Sequence, residues 1–134
     1  MPHLHATAFD LPAVASRAAA RLERAGLGDR TRAVGGSFLS DPLPEGCDLV
    51  TLVRIALDHD DSTVATLLRA IRRALPQDGT LVIAEPVSGT AGAVRVTDAY
   101  FGLYLLAMGK GRIRDFDEMR ALLAACGFSR ATLR

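Results

Sequence analysis

The chain has 134 residues, a net charge of +1 and an apolar fraction of 49%. That is one domain at most, with enough apolar material for a core; the near-neutral charge leaves no footprint for nucleic acid or an acidic partner, and no apolar run is long enough to cross a membrane. The first residues, Met1-Pro2-His3-Leu4-His5, place no basic segment ahead of an apolar one and are not a signal peptide, while Cys47 and Cys126 have no metal-ligand spacing and read as reduced, buried thiols of a cytoplasmic protein without a metal site.

His5 to Asp10 reads as a short strand ending in an acid. Leu11-Pro12 follows, and proline suits the first turn of a helix, predicted here over Val14–Leu27 and stopped at Gly26 and Gly28. Thr31–Val34 is a second strand, Gly35-Gly36-Ser37-Phe38 a tight loop, and Asp41 to Gly46 a turn-rich connection. Asp48 to Val53 is an apolar run of the kind a parallel strand shows when both its faces are covered. It leads into Arg54-Ile55-Ala56-Leu57-Asp58-His59-Asp60-Asp61, a cluster of acids around one histidine. Ser62 can cap a helix whose apolar positions Val64, Leu67, Leu68, Ile71 and Leu75 keep the helical period, closed by Gln77-Asp78-Gly79. Leu81 to Pro86 is another buried strand with an acid, Glu85, at its end. A Gly-rich loop over Val87–Ala93 and a helix over Val96–Met108 are expected next, then an amphipathic helix over Asp115–Cys126 stopped by Gly127, and the beginning of a strand over Ser129–Arg134.

Strands and helices alternate, so the predicted class is α/β with a mostly parallel sheet. Ligands bind beyond the carboxyl ends of the strands in such sheets, and an acid placed there is a common grip on ribose hydroxyls. Asp10, Asp58 and Glu85 would gather on that edge. Each has a plainer reading: Asp10 as a helix cap, Glu85 as a strand-end acid, and the glycine pair as a turn.

Five stretches occur in a familiar order and spacing: Phe9-Asp10-Leu11-Pro12, Gly35-Gly36-Ser37-Phe38, Arg54 to Asp61, Ile83-Ala84-Glu85-Pro86 and Cys126-Gly127-Phe128. Together they resemble the S-adenosylmethionine-dependent O-methyltransferases of the plant caffeate and acetylserotonin type. Leu57 to Asp61 and Asp98 to Gly109 resemble more particularly the bacterial hydroxyneurosporene (demethylspheroidene) O-methyltransferases of carotenoid synthesis. The resemblance implies a Rossmann-like class I methyltransferase sheet, S-adenosylmethionine as cofactor, and methyl transfer to the hydroxyl of a small apolar acceptor, a hydroxylated carotenoid in that subgroup. It implies a cytoplasmic protein, peripheral to a membrane where the membrane holds the apolar substrate.

Residue by residue, the resemblance makes Asp10 the acid on the cofactor ribose. Ser37 and Phe38 line the adenine, although the family usually has an acid where Ser37 stands. Arg54 lies near the cofactor, and Glu85 supports the catalytic base. The family's catalytic histidine falls at Leu57, which cannot accept a proton. His59 lies two residues on and would face the same way from an extended segment; since Asp60 and Asp61 follow, a solvated or hydrogen-bonded histidine is the favoured reading over a replacement base. The family's Gly-rich first strand and its amino-terminal dimerisation domain belong before His5, and its last strands after Arg134. The expectation is therefore a catalytic-domain fragment truncated at both ends, inactive alone and without tight cofactor binding. It would be completed by a complementing chain or a second copy, or else be a non-catalytic remnant acting as an interaction module.

Overall fold

The computed structural model describes residues 3–90 and 99–134, which form two compact units, Met1–Gly46 and Cys47–Arg134. In the first unit, β1 (Ala6–Asp10), α1 (Pro12–Arg24) and β2 (Thr31–Gly35) make a βαβ unit, with β1 and β2 parallel in the register Ala6 to Thr31 through Asp10 to Gly35. Pro12 occupies the first turn of α1, where its missing N–H costs nothing. Ala15 is the buried residue of α1. The helix ends three residues before the predicted Leu27. Leu27 N–H instead bonds the Leu22 carbonyl (3.0 Å) and Gly26 N–H the Glu23 carbonyl (2.9 Å), the paired bonds of a Schellman stop. A short 3₁₀ turn, Gly28–Arg30, leads into β2.

In the second unit, β3 (Leu49–Val53) and β4 (Thr80–Ala84) are parallel, joined by a 3₁₀ turn at Ala56–Asp58 and by α2 (Asp61–Ala74). The cap of α2 differs from expectation. Asp60 caps it, accepting from Thr63 N–H at 2.8 Å, and Ser62 lies inside the first turn, donating its hydroxyl to Asp60. A carboxylate outcompetes a hydroxyl there because it meets the helix dipole as well as the free N–H groups. The bond from the Thr63 N–H, with the Ser62 hydroxyl, draws Asp60 down to about 2. Its contribution is therefore complete above the ordinary carboxylate value and is lost as pH falls through 2. The helix ends at Ala74, before Pro76.

Val64, Leu68 and Ile71 of α2 have no exposed surface, and Leu67, Leu75 and Leu52 of β3 are buried too. This is the predicted apolar stripe. The strands depart from the prediction of burial on both faces: Leu49 is 47%, Val53 60% and Val82 44% exposed, so one face of the β3–β4 pair stays open. An apolar run is compatible with two covered faces but does not by itself decide whether the second is covered.

After Glu85, β5 (Val87–Ser88) pairs in parallel with β6 (Arg114–Asp115). The Gly-rich loop is thus partly a two-residue strand, and its residues 91–93 lie outside the described residues. The predicted helix over Val96–Met108 is described as α3 (Gly102–Met108), preceded by a π turn at 99–101, while residues 96–98 lie outside the described residues. The last helix, α4 (Phe116–Ala125), lies beside α2, and Cys126 Sγ meets the Ala65 carbonyl at 3.6 Å. Cys126 is buried, whereas Cys47 is only half-buried. Ser129–Arg134 forms no strand, since among the described residues nothing pairs with it.

Asp115 caps α4 in a reciprocal box: Glu118 N–H donates to Asp115 (2.8 Å) and Asp115 N–H to Glu118 (2.9 Å). Asp115→Ala removes one side of it. Urea unfolding is expected to show a loss of about 1 kcal/mol, and an unchanged midpoint would refute the cap's contribution.

Candidate active site

The carboxyl ends of β3 and β4 bring together the candidate residues of the second unit. Beyond Val53 the chain turns sharply through Arg54, whose φ of 55° is the left-handed value that a bulky side chain seldom takes. Its N–H bonds the Ala84 carbonyl at 3.0 Å, and its guanidinium lies 5.4 Å from the centre of the Phe101 ring. The next residues form the Ala56–Asp58 turn. Glu85, one residue past β4, reaches it: Glu85 Oε1 accepts the Ala56 N–H at 2.8 Å. Glu85 is therefore more than a strand-end acid, since it ties the ends of the two strands together.

Burial pushes the Glu85 carboxyl above its ordinary value of 4.5, and the Ala56 hydrogen bond and the nearby Arg114 charge act against that rise. A carboxyl whose folded value is raised binds its proton more tightly in the folded state. Its contribution is complete below 4.5 and declines as pH rises toward the higher folded value. Glu85→Gln keeps an oxygen for the Ala56 N–H and removes the ionisation. The variant is expected to lose this decline, so that its urea midpoint relative to the wild type improves from pH 4 to pH 7. A parallel pH dependence in both proteins would contradict the assignment.

The structure separates the other residues of the cluster. Leu57 is 1% exposed, a core residue of the turn. His59 is half-exposed and has its own interactions. Asp58 Oδ1 is buried and, among the described residues, accepts no hydrogen bond, an acceptor that sequence reasoning singled out only as one of three acids. Arg114 was missed altogether. It is 3% exposed, and its guanidinium bonds Asp61 (2.8 Å) and the carbonyls of Ala56 (2.9 Å) and His59 (2.8 Å). The sequence shows only two arginines two apart, Arg112 and Arg114, ahead of a capping aspartate. Nothing in that spacing says which of the two is buried. A groove of about 620 Å³ reaches Glu85 and Arg114 along Leu81, Ile83, Phe116 and Leu123, but residues 57–59 do not line it.

In the first unit Asp10 stands exposed at the carboxyl end of β1, and its Oδ1 accepts the Leu11 N–H at 2.7 Å. The N-cap of α1 is Leu11 and no side chain caps the helix, so Asp10 is not the cap of the plain reading but an exposed carboxylate at the end of the strand. Gly35 and Gly36 are explained by close packing: a side chain on Gly35 would lie 2.9 Å from Pro12 Cα, and one on Gly36 2.8 Å from the Phe9 ring. Ser37 opens a tight turn, its N–H bonding Asp41 at 2.7 Å and its carbonyl accepting from Ser40 and Asp41, while Phe38 is half-buried beside it. Among the described residues no cluster of His, Cys, Asp and Glu has the arrangement of a metal site.

A βαβ unit with an acid at the end of its first strand, and a second parallel pair whose ends are joined by a half-buried glutamate, define an α/β protein of the nucleotide-cofactor kind. The model of the O-methyltransferase domain matches residues 1–129, and the chain belongs to that family. It is 47% identical to demethylspheroidene O-methyltransferase of Cereibacter sphaeroides, over 96% of this chain and 34% of the relative. Among solved structures, LaPhzM superposes with a TM-score of 0.85 at 35% identity, covering 95% of this chain and 38% of that one. The O-methyltransferase NcsB1, solved with S-adenosylmethionine and 2-hydroxy-5-methyl naphthoic acid, gives a TM-score of 0.79 at 30% identity over 94% of this chain and 36% of that one. The chain spans about a third of the length of the curated relatives it matches. No helix among the described residues is long and apolar enough to cross a membrane.

Proposed function

We propose that this chain carries part of the catalytic domain of an S-adenosylmethionine-dependent O-methyltransferase acting on the hydroxyl of a small apolar acceptor, a hydroxylated carotenoid. The observation that carries the reading is its 47% identity to a demethylspheroidene O-methyltransferase along nearly its whole length. When bound, the cofactor supplies a methyl group on a sulfonium whose leaving group is a neutral thioether. The protein has to hold the two reactants in line and take one proton. Asp10 would hold the ribose hydroxyls, Ser37 and Phe38 would lie against the adenine, and Arg54 would lie near the cofactor. Glu85 holds the turn that carries the base position, and Asp58 Oδ1 is an acceptor for a hydroxyl proton donor.

A second reading has its own support. Leu57, where a base is expected, is aliphatic and enclosed, and the β3–β4 pair leaves an apolar face open. A non-catalytic chain that packs against a partner would show both. Calorimetric titration of S-adenosylmethionine, with methyl transfer from labelled cofactor to a hydroxylated carotenoid, separates the readings. Both are run on this chain alone and with the amino-terminal part of a related enzyme. Weak binding alone, with binding and transfer restored by the added part, is expected. Micromolar binding by the chain alone, abolished by Asp10→Ala, would show that it needs no complement. Absence of both binding and transfer in the complex would favour the interaction module.

A further inference from the structure

We propose that Arg114 is the positioning residue of this site, fixing the Ala56–His59 turn in one relation to Glu85 through the carbonyls of Ala56 and His59. The inference rests on the methyltransferase reading for its functional meaning and on geometry for its content. Three segments converge on this guanidinium: the turn after β3, the first residue of α2 and the segment that pairs with β5. Its Nε bonds Asp61 Oδ1 at 2.8 Å, and one terminal nitrogen reaches the same oxygen at 2.8 Å and the His59 carbonyl at 2.8 Å. The other terminal nitrogen bonds the Ala56 carbonyl at 2.9 Å and the Arg112 carbonyl at 3.4 Å. All three nitrogens of a nearly fully buried cation are thus engaged, as such burial requires.

The turn is held from its other sides as well. Glu85 takes the Ala56 N–H, and Arg112 N–H donates to the Leu57 carbonyl at 2.9 Å. Residue 56 is therefore held by a carboxylate on its N–H and a guanidinium on its C=O. A lysine can supply the charge but not the planar fork that meets two carbonyls and a carboxylate together. The same charge opposes the rise that burial imposes on Glu85. Arg114 touches none of the reacting atoms in this reading; it acts through the turn and through Glu85.

Amide exchange and carbon-detected titration on the 134-residue chain test this without any need for turnover. In Arg114→Lys, exchange at the amides of Ala56 and His59 is expected to rise by about tenfold or more, with β3–β4 ladder amides changed by less than about twofold and the Glu85 titration close to wild type. In Arg114→Met the turn loosens in the same way and Glu85 also titrates higher. Asp61→Asn, at a residue that is half exposed, is expected to raise turn exchange by a smaller factor, and it decides the matter if the methionine variant fails to fold. Turn and ladder exchange rising by one common factor in Arg114→Lys would reduce Arg114 to a contributor to global stability. Unchanged turn exchange in Arg114→Lys or Asp61→Asn would overturn the proposal outright. Failure of methyl transfer by the wild-type chain supplied with the amino-terminal part of a related enzyme would count against the proposed function alone.

Discussion

Replacing Gly111 with alanine is expected to destabilise the second unit by about 3 kcal/mol or more, out of proportion to one added methyl group. Gly111 has a φ of 90°, which carries a strain penalty for any residue with a side chain. An added Cβ would also press on the Leu57 carbonyl oxygen and lie 2.9 Å from the carbonyl carbon and 3.0 Å from the Cα of Asp58. All three neighbours are backbone atoms, so no side chain can rotate aside. The Leu57 carbonyl is held in place by Arg112 N–H, and the turn behind it by Arg114 and Glu85. Relief has to come from displacing the turn itself. Urea unfolding of the variant measures the loss. A midpoint within experimental error of the wild type would mean that the 111–114 segment does not pack on the turn as described.

Leu57→His is expected to move stability and activity in opposite directions. Leu57 is 1% exposed, so an imidazole placed there loses apolar contact and buries two nitrogens that need partners, at a cost of about 2 kcal/mol or more. Burial also disfavours its charged form, so the ring would stand neutral near pH 7 and able to accept a proton. With the amino-terminal part of a related enzyme supplied, transfer to a hydroxylated carotenoid is expected to increase by about 10²–10⁴. Leu57→Met is the control: it conserves volume, should cost less than about 1.5 kcal/mol, and should leave the rate where it was. A complex that binds cofactor, yet transfers methyl no faster with histidine at position 57 than with methionine, would place the base elsewhere in the site.

The sequence by itself determined the class of this protein and the positions of most of its elements. Alternation of β-branched runs with amphipathic stretches predicts a parallel α/β arrangement, and both strand pairs are parallel. The stripe from Val64 to Leu75 became the core because a period near 3.6 puts those residues on one helix face whatever lies opposite. Gly26 and Gly127 fell where the helices stop, since the chain there must take a positive φ.

Only the tertiary structure decided what depends on residues far apart in the chain. The choice of Asp60 over Ser62 as a cap is local, but competition among neighbouring oxygens is settled by backbone geometry that spacing does not reveal. The burial of Arg114 needs Asp61, Ala56 and His59 brought to it across more than 50 residues of chain, and no local pattern encodes that meeting. The same holds for Glu85, read from sequence either as a plain strand-end acid or as a support for the base, and found to bond the N–H of a residue 29 positions earlier. The open face of β3–β4 shows the reverse limit. Apolar composition says that a surface prefers cover, while its exposure depends on which segments are present to pack against it.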